Sequence, residues 1–177
     1  ALLLTSAVLV ALQGNLHVPL GVIAKEPWWI WTGGICGDII VIFSMICLPK
    51  LGSFETVVFL VLGQIVSGLM IDNFGMFSSA VIPMSALRAV GAVLVFASVL
   101  ATSEKIKSEE REKAHGVNFY RFLDFIAGIA CSVQIAVNGR LGEVAGLSFR
   151  ATIISLSTAL LGAVTIIIFL RVIRGPG

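Results

Sequence analysis

The amino-acid sequence predicts an all-α integral membrane protein, a polytopic bundle of transmembrane helices. Hydrophobic residues make up 58% of the 177 residues and charged residues only 12%, whereas roughly a quarter of the residues are charged in ordinary globular proteins. The apolar residues fall into runs that approach or reach the roughly 20 residues a helix needs to cross a bilayer. Because every backbone polar group must find a partner inside lipid, these runs are expected to be helices.

Six apolar runs, bounded by charged residues or prolines, are the predicted helices. The first lacks a basic segment and a small-residue cleavage site, so we interpret it as a helix and not as a signal peptide. The chain is therefore expected to begin inside a larger protein. In chain order the runs cover about residues 1–13, 28–48, 54–71, 81–102, 122–138 and 150–170.

One hydrophilic segment, residues 103–121, separates the fourth and fifth runs and is predicted to be a solvated linker or a short surface helix. With six crossings, eight of the twelve lysines and arginines fall on the side of this linker. Basic residues are enriched in cytoplasmic loops, so the linker around Arg111 is predicted to be cytoplasmic, in a protein of the plasma membrane or a bacterial inner membrane. Trp28, Trp29 and Trp31 are expected to anchor the opposite interface.

Several classes of function lack support in the sequence. Cys36, Cys47 and Cys131 stand singly in apolar runs without a C-x-x-C pair or a nearby histidine, so neither a metal nor a cofactor is expected. No P-loop, H-E-x-x-H or G-x-S-x-G motif occurs, which leaves ATP-driven transport and hydrolysis within the membrane without support. The basic residues form no continuous stripe, so no nucleic-acid partner is expected. We do not expect an enzyme.

Asp38 is the strongest anomaly in the apolar runs. It lies ten residues from Trp28 and ten from Leu48, which is roughly 15 Å from each end of its run at helical rise. An acid at the bilayer centre costs about 2.5 to 3.5 kcal/mol on insertion scales and must face protein or water. With Gly34 on its face, Asp38 has two interpretations: a coupling acid that titrates during transport, or a protonated acid that donates one structural hydrogen bond.

The third run carries a polar stripe. Gln64, Gly68 and Asp72 are spaced four apart and so share one helix face, with Ser67 beside them. An amide without partners in hydrocarbon would cost several kcal/mol. Gln64 therefore either makes a structural hydrogen bond to another helix or faces a solute. Asp72, at the outer end of the run, is expected to cap the helix or to pair with Arg88.

The fifth run repeats this spacing with Gln134 and Asn138, which are also four residues apart. In the second run, Gly33 and Gly37 form a G-x-x-x-G pattern. Small residues at this spacing let the backbone of another helix approach closely. The two patterns predict a polar fifth helix and a second helix that takes part in a close contact.

Three segments together resemble the YdcZ family of the drug/metabolite transporter superfamily. They are PWWIWTGGICGD (27–38), LPKLGSFETVVFLVLGQIVSGLMIDNFGMF (48–77) and PMSALRAVGAVLVF (83–96). A fourth segment, GIACSVQIAVNGRLGEVAG (128–146), resembles the opening of a second copy. The family usually carries an apolar residue at the position of Asp38, so this acid departs from the family pattern.

The resemblance implies a duplicated repeat of five helices. Residues 1–102 would hold helices two to five of one copy, 103–121 the linker, and 122–177 the first two helices of the next, so the chain is expected to be incomplete. The first and sixth runs both begin at alanine with a hydroxyl residue four positions on, Thr5 and Ser155. Five crossings separate these starts, so related repeats would be inverted, as in transporters with alternating access.

The sequence therefore predicts a secondary transporter of a small organic or cationic solute. If Asp38 is a coupling acid, transport would be coupled to protons. The polar path is expected among the second, third and fifth runs. The alternative is a non-transporting membrane scaffold whose polar residues are only helix contacts. Expected partners are membrane lipid and a small-molecule solute, and a homodimer is left open. The residues predicted to line the path are Asp38, Gln64, Gln134 and Asn138.

Overall fold

A computed structural model describes residues 20–110, 116–146 and 148–174 of the chain. The first apolar run and Arg111 lie outside these residues. The described residues are helical without a β-strand, as an all-α bundle requires. Two short 3-10 turns, Trp28–Trp31 and Met76–Ser78, interrupt the helices. The α-helices are α1 (Leu20–Ile23), α2 (Gly33–Phe74), α3 (Ala86–Glu110), α4 (Val117–Ala145) and α5 (Ser148–Arg174).

Helix α2 consists of two arms that meet at Gly52. Its 42 residues would extend roughly 63 Å as one straight helix, about twice the thickness of the hydrocarbon core. Gly52 has φ 77° and ψ 165°, a left-handed conformation that glycine adopts without steric cost. Pro49 removes a backbone donor just before this break. The arms α2a (residues 33–51) and α2b (residues 53–74) correspond to the second and third predicted runs.

The second run begins with a turn that the sequence did not separate from the helix. Trp28–Trp31 form a 3-10 turn after Pro27, so helix α2 starts at Gly33. The Thr32 hydroxyl donates to the Trp29 carbonyl at 2.7 Å and closes this turn. Trp28 is 79% exposed, whereas Trp29 and Trp31 pack against buried residues. Trp28 is therefore the most exposed of the three rings, and the aromatic anchor stays a prediction.

Helix α3 is shifted toward the C-terminus relative to the fourth run. It begins at Ala86, not near residue 81, because Pro83 has no backbone donor and disfavours helical geometry in the residue before it. The Ser85 hydroxyl caps the helix by accepting from the Arg88 backbone N–H at 3.3 Å. The helix then continues to Glu110, and α4 starts at Val117, so both described ends of the predicted linker are helical.

Three described helices are long and apolar enough to cross a membrane: Gly33–Phe74, Val117–Ala145 and Ser148–Phe169. The apolar part of α3, Ala86–Val99, is shorter. Large hydrophobic side chains such as Leu87 and Leu161 are largely exposed. Extensive apolar exposure is unusual for a soluble monomer and is what helices in contact with lipid require.

The described residues divide into two compact units. Unit 1 comes from the described residues 20–38, 134–146 and 148–174, and unit 2 from the described residues 39–110 and 116–133. The α2b arm and α4 run in the same direction within unit 2, since Glu55 contacts Arg121 and Gln64 contacts Cys131. The buried core of unit 1 consists of Ile23, Ile30, Leu141, Ala145, Ala151 and Ile154.

Candidate functional site

In unit 1, one face of the first turns of α2a meets the polar residues of α4. Gly33 lies against the carboxamide of Asn138, and there is no room for a Cβ between them. One turn later, a Cβ on Gly37 would stand 2.9 Å from Nε2 of Gln134. The predicted G-x-x-x-G pattern therefore accommodates two side-chain amides, whose own spacing of four residues matches that of the glycines.

The adjacent face of the same turns meets α5. Gly34 touches the backbone of Ser155 and Ala159 and the hydroxyl of Thr158 so closely that a Cβ could not be added. The carboxylate of Asp38 lies against Gly162, where a Cβ would collide with Oδ2. Gly162 is within roughly 5 Å, at helical rise, of the middle of the apolar span of α5. Asp38 thus faces the central part of a membrane-capable helix.

Two oxygen atoms at this site have no hydrogen-bond partner among the described residues. They are Oδ2 of Asp38 and Oδ1 of Asn138, and both are buried. A buried polar atom without a partner costs about 1 to 3 kcal/mol. Three of the four predicted path residues, Asp38, Gln134 and Asn138, therefore lie in unit 1, and two of them present oxygens that a ligand could satisfy.

Two arginines of unit 1, Arg140 and Arg150, are engaged away from Asp38. Arg140 pairs with Glu26 at 3.1 Å and with Glu143 at 3.3 Å. Arg150 is buried and donates to the Ala145 carbonyl at 2.9 Å. In the described part of the chain, no three His, Cys, Asp or Glu side chains come together as a metal site would need. The carboxylate of Asp38 is thus suited to a cationic ligand or to a proton.

Unit 2 uses its polar residues differently. Nε2 of Gln64 donates to Sγ of Cys131 at 2.8 Å. The hydroxyl of Ser132, the next residue on α4, donates to the backbone carbonyl of Gln64 at 2.7 Å. Gly63 lies directly against the carbonyl of Phe125, so the two helices touch backbone to backbone. The side-chain amide of Gln64, the fourth predicted path residue, lies in unit 2 and has a partner.

The remainder of the predicted stripe on α2b also takes part in helix contacts. The buried Ser67 hydroxyl donates to the Gly63 carbonyl of its own helix at 2.6 Å. A Cβ on Gly68 would lie 3.7 Å from Oγ of Ser132, an ordinary contact distance. The Ser67 hydroxyl is thus satisfied within its own helix, and Gly68 lies at contact distance from α4.

At the end of α2b, Asp72 forms the ion pair with Arg88 that the sequence suggested, with 3.1 Å between Nη1 and Oδ2. The side chains are about one third exposed. The Asp72 carbonyl accepts from the Ile82 backbone N–H at 2.8 Å, and Asn73 Oδ1 accepts from the Met84 backbone N–H at 3.3 Å. Asp72 and Asn73 therefore stabilise the connection between α2 and α3 by accepting these hydrogen bonds.

Sequence analysis missed a second group of ionisable residues in unit 2. Asp124 is fully buried, and neither carboxylate oxygen has a hydrogen-bond partner in the described residues. Glu55 and Arg121 form a largely buried ion pair, with 2.6 Å between Oε1 and Nη2. The fifth run was taken to start at residue 122, which placed Arg121 in the linker and Asp124 in the first residues of the run. Helix α4 in fact begins five residues earlier, at Val117.

The helix contact in unit 2 had a sequence signal that was not used. Gly63 and Ser67 are four apart, as are Gly128 and Ser132, and small residues at this spacing favour close helix approach. A Cβ on Gly128 would strike the Leu60 carbonyl. Two such patterns on different runs could have paired α2b with α4.

A family profile described as "Putative inner membrane exporter, YdcZ" matches residues 1–101 and 119–176. The unmatched residues between these parts fall almost entirely in the predicted linker. Comparison with curated proteins and with solved structures finds no match.

Proposed function

Since the chain belongs to the YdcZ family of inner-membrane exporters, we propose that unit 1 holds the solute site of a secondary transporter. The site consists of Asp38 with the amides of Gln134 and Asn138. The family is one of exporters and not a class of enzymes, and the apolar helices fit an integral protein of the inner membrane.

A single observation carries this proposal. Oδ2 of Asp38 and Oδ1 of Asn138 are buried without a hydrogen-bond partner in the described chain. Polar groups in membrane helices are costly, and when they do not pair with each other they commonly mark the route of a solute or proton. A bound solute would satisfy both oxygens and recover the free energy that their burial costs.

The chemistry of the site favours a small organic cation as solute. Asp38 has no ion pair among the described residues, so its carboxylate can attract a positive charge, and the amide oxygens of Gln134 and Asn138 can accept hydrogen bonds from an amine. The glycines beside them, Gly33 and Gly37, bring the α2a backbone up against these side chains. The site would therefore recognise a protonated amine of modest size.

Proton coupling would follow from competition at Asp38. A proton and a monovalent cation cannot both neutralise one carboxylate, so binding of one displaces the other. Exchange of one for the other across the membrane is electroneutral, and each pH unit of gradient supplies about 1.4 kcal/mol, or a tenfold concentration ratio. Asp38 would be the residue that links the two fluxes.

Gln64 does not belong to the proposed site. Its amide is engaged by Cys131, and its carbonyl accepts a hydrogen bond from Ser132. We therefore assign it to helix association, the structural alternative that the sequence left open. This assignment shortens the predicted path to the residues of unit 1.

Transport by the full-length protein in proteoliposomes tests the proposal. A panel of small organic cations, zwitterions and anions is offered with and without a pH gradient. We expect cations to be carried and their flux to follow the gradient. Asp38→Asn keeps the size of the side chain but cannot titrate, so it should abolish the dependence on the gradient. Asp72→Asn, which changes an acid outside the site, is the matched control and should retain it.

Two results would contradict the proposal. Transport by Asp38→Asn with unchanged pH dependence would remove Asp38 from the mechanism. Absence of flux for every solute, in wild-type protein that remains folded by size-exclusion chromatography, would favour the alternative of a membrane scaffold. The closed contacts of Gln64 and Ser132 in unit 2 are the observation on the side of that alternative.

A further inference from the structure

Unit 2 contains a buried acid that neither the solute site nor the helix contact uses. Asp124 has no exposed surface, and both carboxylate oxygens lack a hydrogen-bond partner in the described chain. It lies seven residues after the start of α4, on one of the three membrane-capable helices. An unpaired charge in such surroundings is far more costly than the neutral acid.

The nearest cation on the same helix is already engaged. Arg121 precedes Asp124 by three residues, and its Nη2 donates to Oε1 of Glu55 at 2.6 Å while Nε donates to Oε2 at 3.3 Å. The side chains are 16% and 6% exposed. The guanidinium also lies 5.6 Å from the centroid of the Phe59 ring. The guanidinium of Arg121 is thus bound to Glu55, and Asp124 would need such a cation to be stable as a carboxylate.

The other titratable groups around Asp124 supply no cation. Cys47 on α2a is buried, interacts electrostatically with Asp124, and donates its thiol to the Tyr120 carbonyl at 3.2 Å. Lys50 is exposed. Among the α3 side chains that the structure describes, the charged one is Arg88, and it pairs with Asp72.

We propose that Asp124 is a proton-binding site that controls the contact between α2b and α4. The guanidinium of Arg121 is bound by Glu55, and neither oxygen of the buried Asp124 has a partner among the described residues, so Asp124 holds the proton. Release of that proton to water leaves a carboxylate three residues from Arg121 on the same helix, a spacing at which side chains can pair. Arg121 then turns from Glu55 to Asp124, and the bond that ties α2b to α4 at this end is lost.

This proton site is separate from the solute site of unit 1. The proton site can be tested without knowing the solute, because the protonation of a carboxyl group can be measured directly. A protonated carboxyl and a carboxylate have different infrared absorptions, and isotope-labelled aspartate distinguishes them from glutamate. The failure of one proposal would therefore leave the other standing.

Infrared spectra of the purified full-length protein in lipid, with labelled aspartate, test the assignment. All spectra are taken in an Asp38→Asn background, which removes the other buried aspartate without a partner among the described residues. At neutral pH we expect a protonated-carboxyl band that Asp124→Asn removes from this background. Glu55→Gln should also abolish it at the same pH, because Arg121 is then free to pair with the carboxylate of Asp124. A band that persists in Asp124→Asn, or that persists unchanged in Glu55→Gln, would overturn the proposal.

Cys47 reports on the contact itself. Alkylation of the native protein, read by mass spectrometry at each cysteine, gives the reactivity of Cys47 relative to Cys36 in the same sample. We expect this ratio to rise at least severalfold when the pH is raised to the point at which the infrared band disappears, and to lose that dependence in Asp124→Asn. An identical pH profile in both proteins would contradict the coupling.

Replacement of sodium by choline distinguishes a proton site from a metal-cation site. The band and the labelling profile should be the same in both salts, since a proton site does not require sodium. If the band disappears only when sodium is present, Asp124 binds that ion and the proposal is wrong.

Discussion

The two units bring small and polar residues together in the same sequence pattern, yet with opposite results. In unit 2, Gly63 and Gly128 place two backbones in direct contact, and the amide of Gln64 finds a partner. In unit 1, glycines of α2a lie against the amides of α4, and one oxygen each of Asp38 and Asn138 has no partner among the residues that the structure describes. A polar residue in an apolar helix thus serves as a helix contact or as a candidate site according to what its atoms reach.

The groups that face the glycines explain the difference. In unit 2 the short Ser132 hydroxyl reaches the carbonyl of the facing helix, since the glycines let the helices come close. In unit 1 the longer side chains of Gln134 and Asn138 occupy the space beside Gly37 and Gly33. Their amides therefore lie between helices instead of bonding to a facing backbone.

Gly128→Ala should have the largest effect on stability. The added Cβ would meet the Leu60 carbonyl, a backbone atom that cannot rotate away. We expect unfolding free energy to fall by about 1 to 3 kcal/mol, the range for overpacked sites. Equilibrium unfolding of the detergent-solubilised full-length protein measures the change.

The control for this substitution is Gly139→Ala on the same helix. A Cβ there meets nothing within 4 Å, and alanine favours the helix by about 0.5 to 1 kcal/mol over glycine. The control should therefore be neutral or slightly stabilising. Equal losses in both variants would mean that the close contact in unit 2 does not contribute.

Gly37→Ala should cost less than Gly128→Ala. Its Cβ would stand 2.9 Å from Nε2 of Gln134, the end of a side chain that can move. We expect a loss of less than about 1 kcal/mol, since only the side chain must adjust. Thermal unfolding of the two variants side by side gives the ranking. A loss for Gly37→Ala as large as that for Gly128→Ala would show that the unit 1 contact is as rigid as that of unit 2.

Arg88→Gln should have the smallest effect. The ion pair with Asp72 is about one third exposed, and exposed pairs contribute about 0 to 1 kcal/mol. The loss should shrink further in high salt, which screens the pair in the wild type. Unfolding measured at two ionic strengths tests this. A loss above 2 kcal/mol, independent of salt, would mean that the connection between α2 and α3 depends on this pair.

The helices could be predicted from the sequence because apolar runs of the right length have few other solutions in a membrane. Their ends could not. Helix α3 begins after Pro83, at Ala86, and Trp28–Trp31 form a separate 3-10 turn before α2. Local hydrogen bonds decide where a helix begins, and the apolar pattern does not show them. The start of α4 at Val117 was also missed, because the first turns of this helix contain charged residues and so fall outside the apolar run.

The candidate site was predictable in part. Asp38, Gln134 and Asn138 stood out because polar residues inside apolar runs are rare. Whether Gln64 belonged with them depended on a partner, Cys131, that is 67 positions away. Asp124 was missed for a related reason: its burial results from tertiary contacts, which the sequence does not show.

Transport by two matched truncation variants tests whether the solute site lies in unit 1, at Asn138, and not at the helix contact of Gln64 in unit 2. Asn138→Ala removes an amide whose oxygen has no partner, and Gln64→Ala removes an amide that binds Cys131. In proteoliposomes with equal amounts of folded full-length protein, we expect Asn138→Ala to lower transport of an organic cation by tenfold or more, which is about 1.4 kcal/mol. Gln64→Ala should transport like the wild type while losing about 0.6 kcal/mol of stability, the average for a hydrogen bond between membrane helices. Normal transport by Asn138→Ala together with lost transport by Gln64→Ala would contradict the account and move the solute path to unit 2.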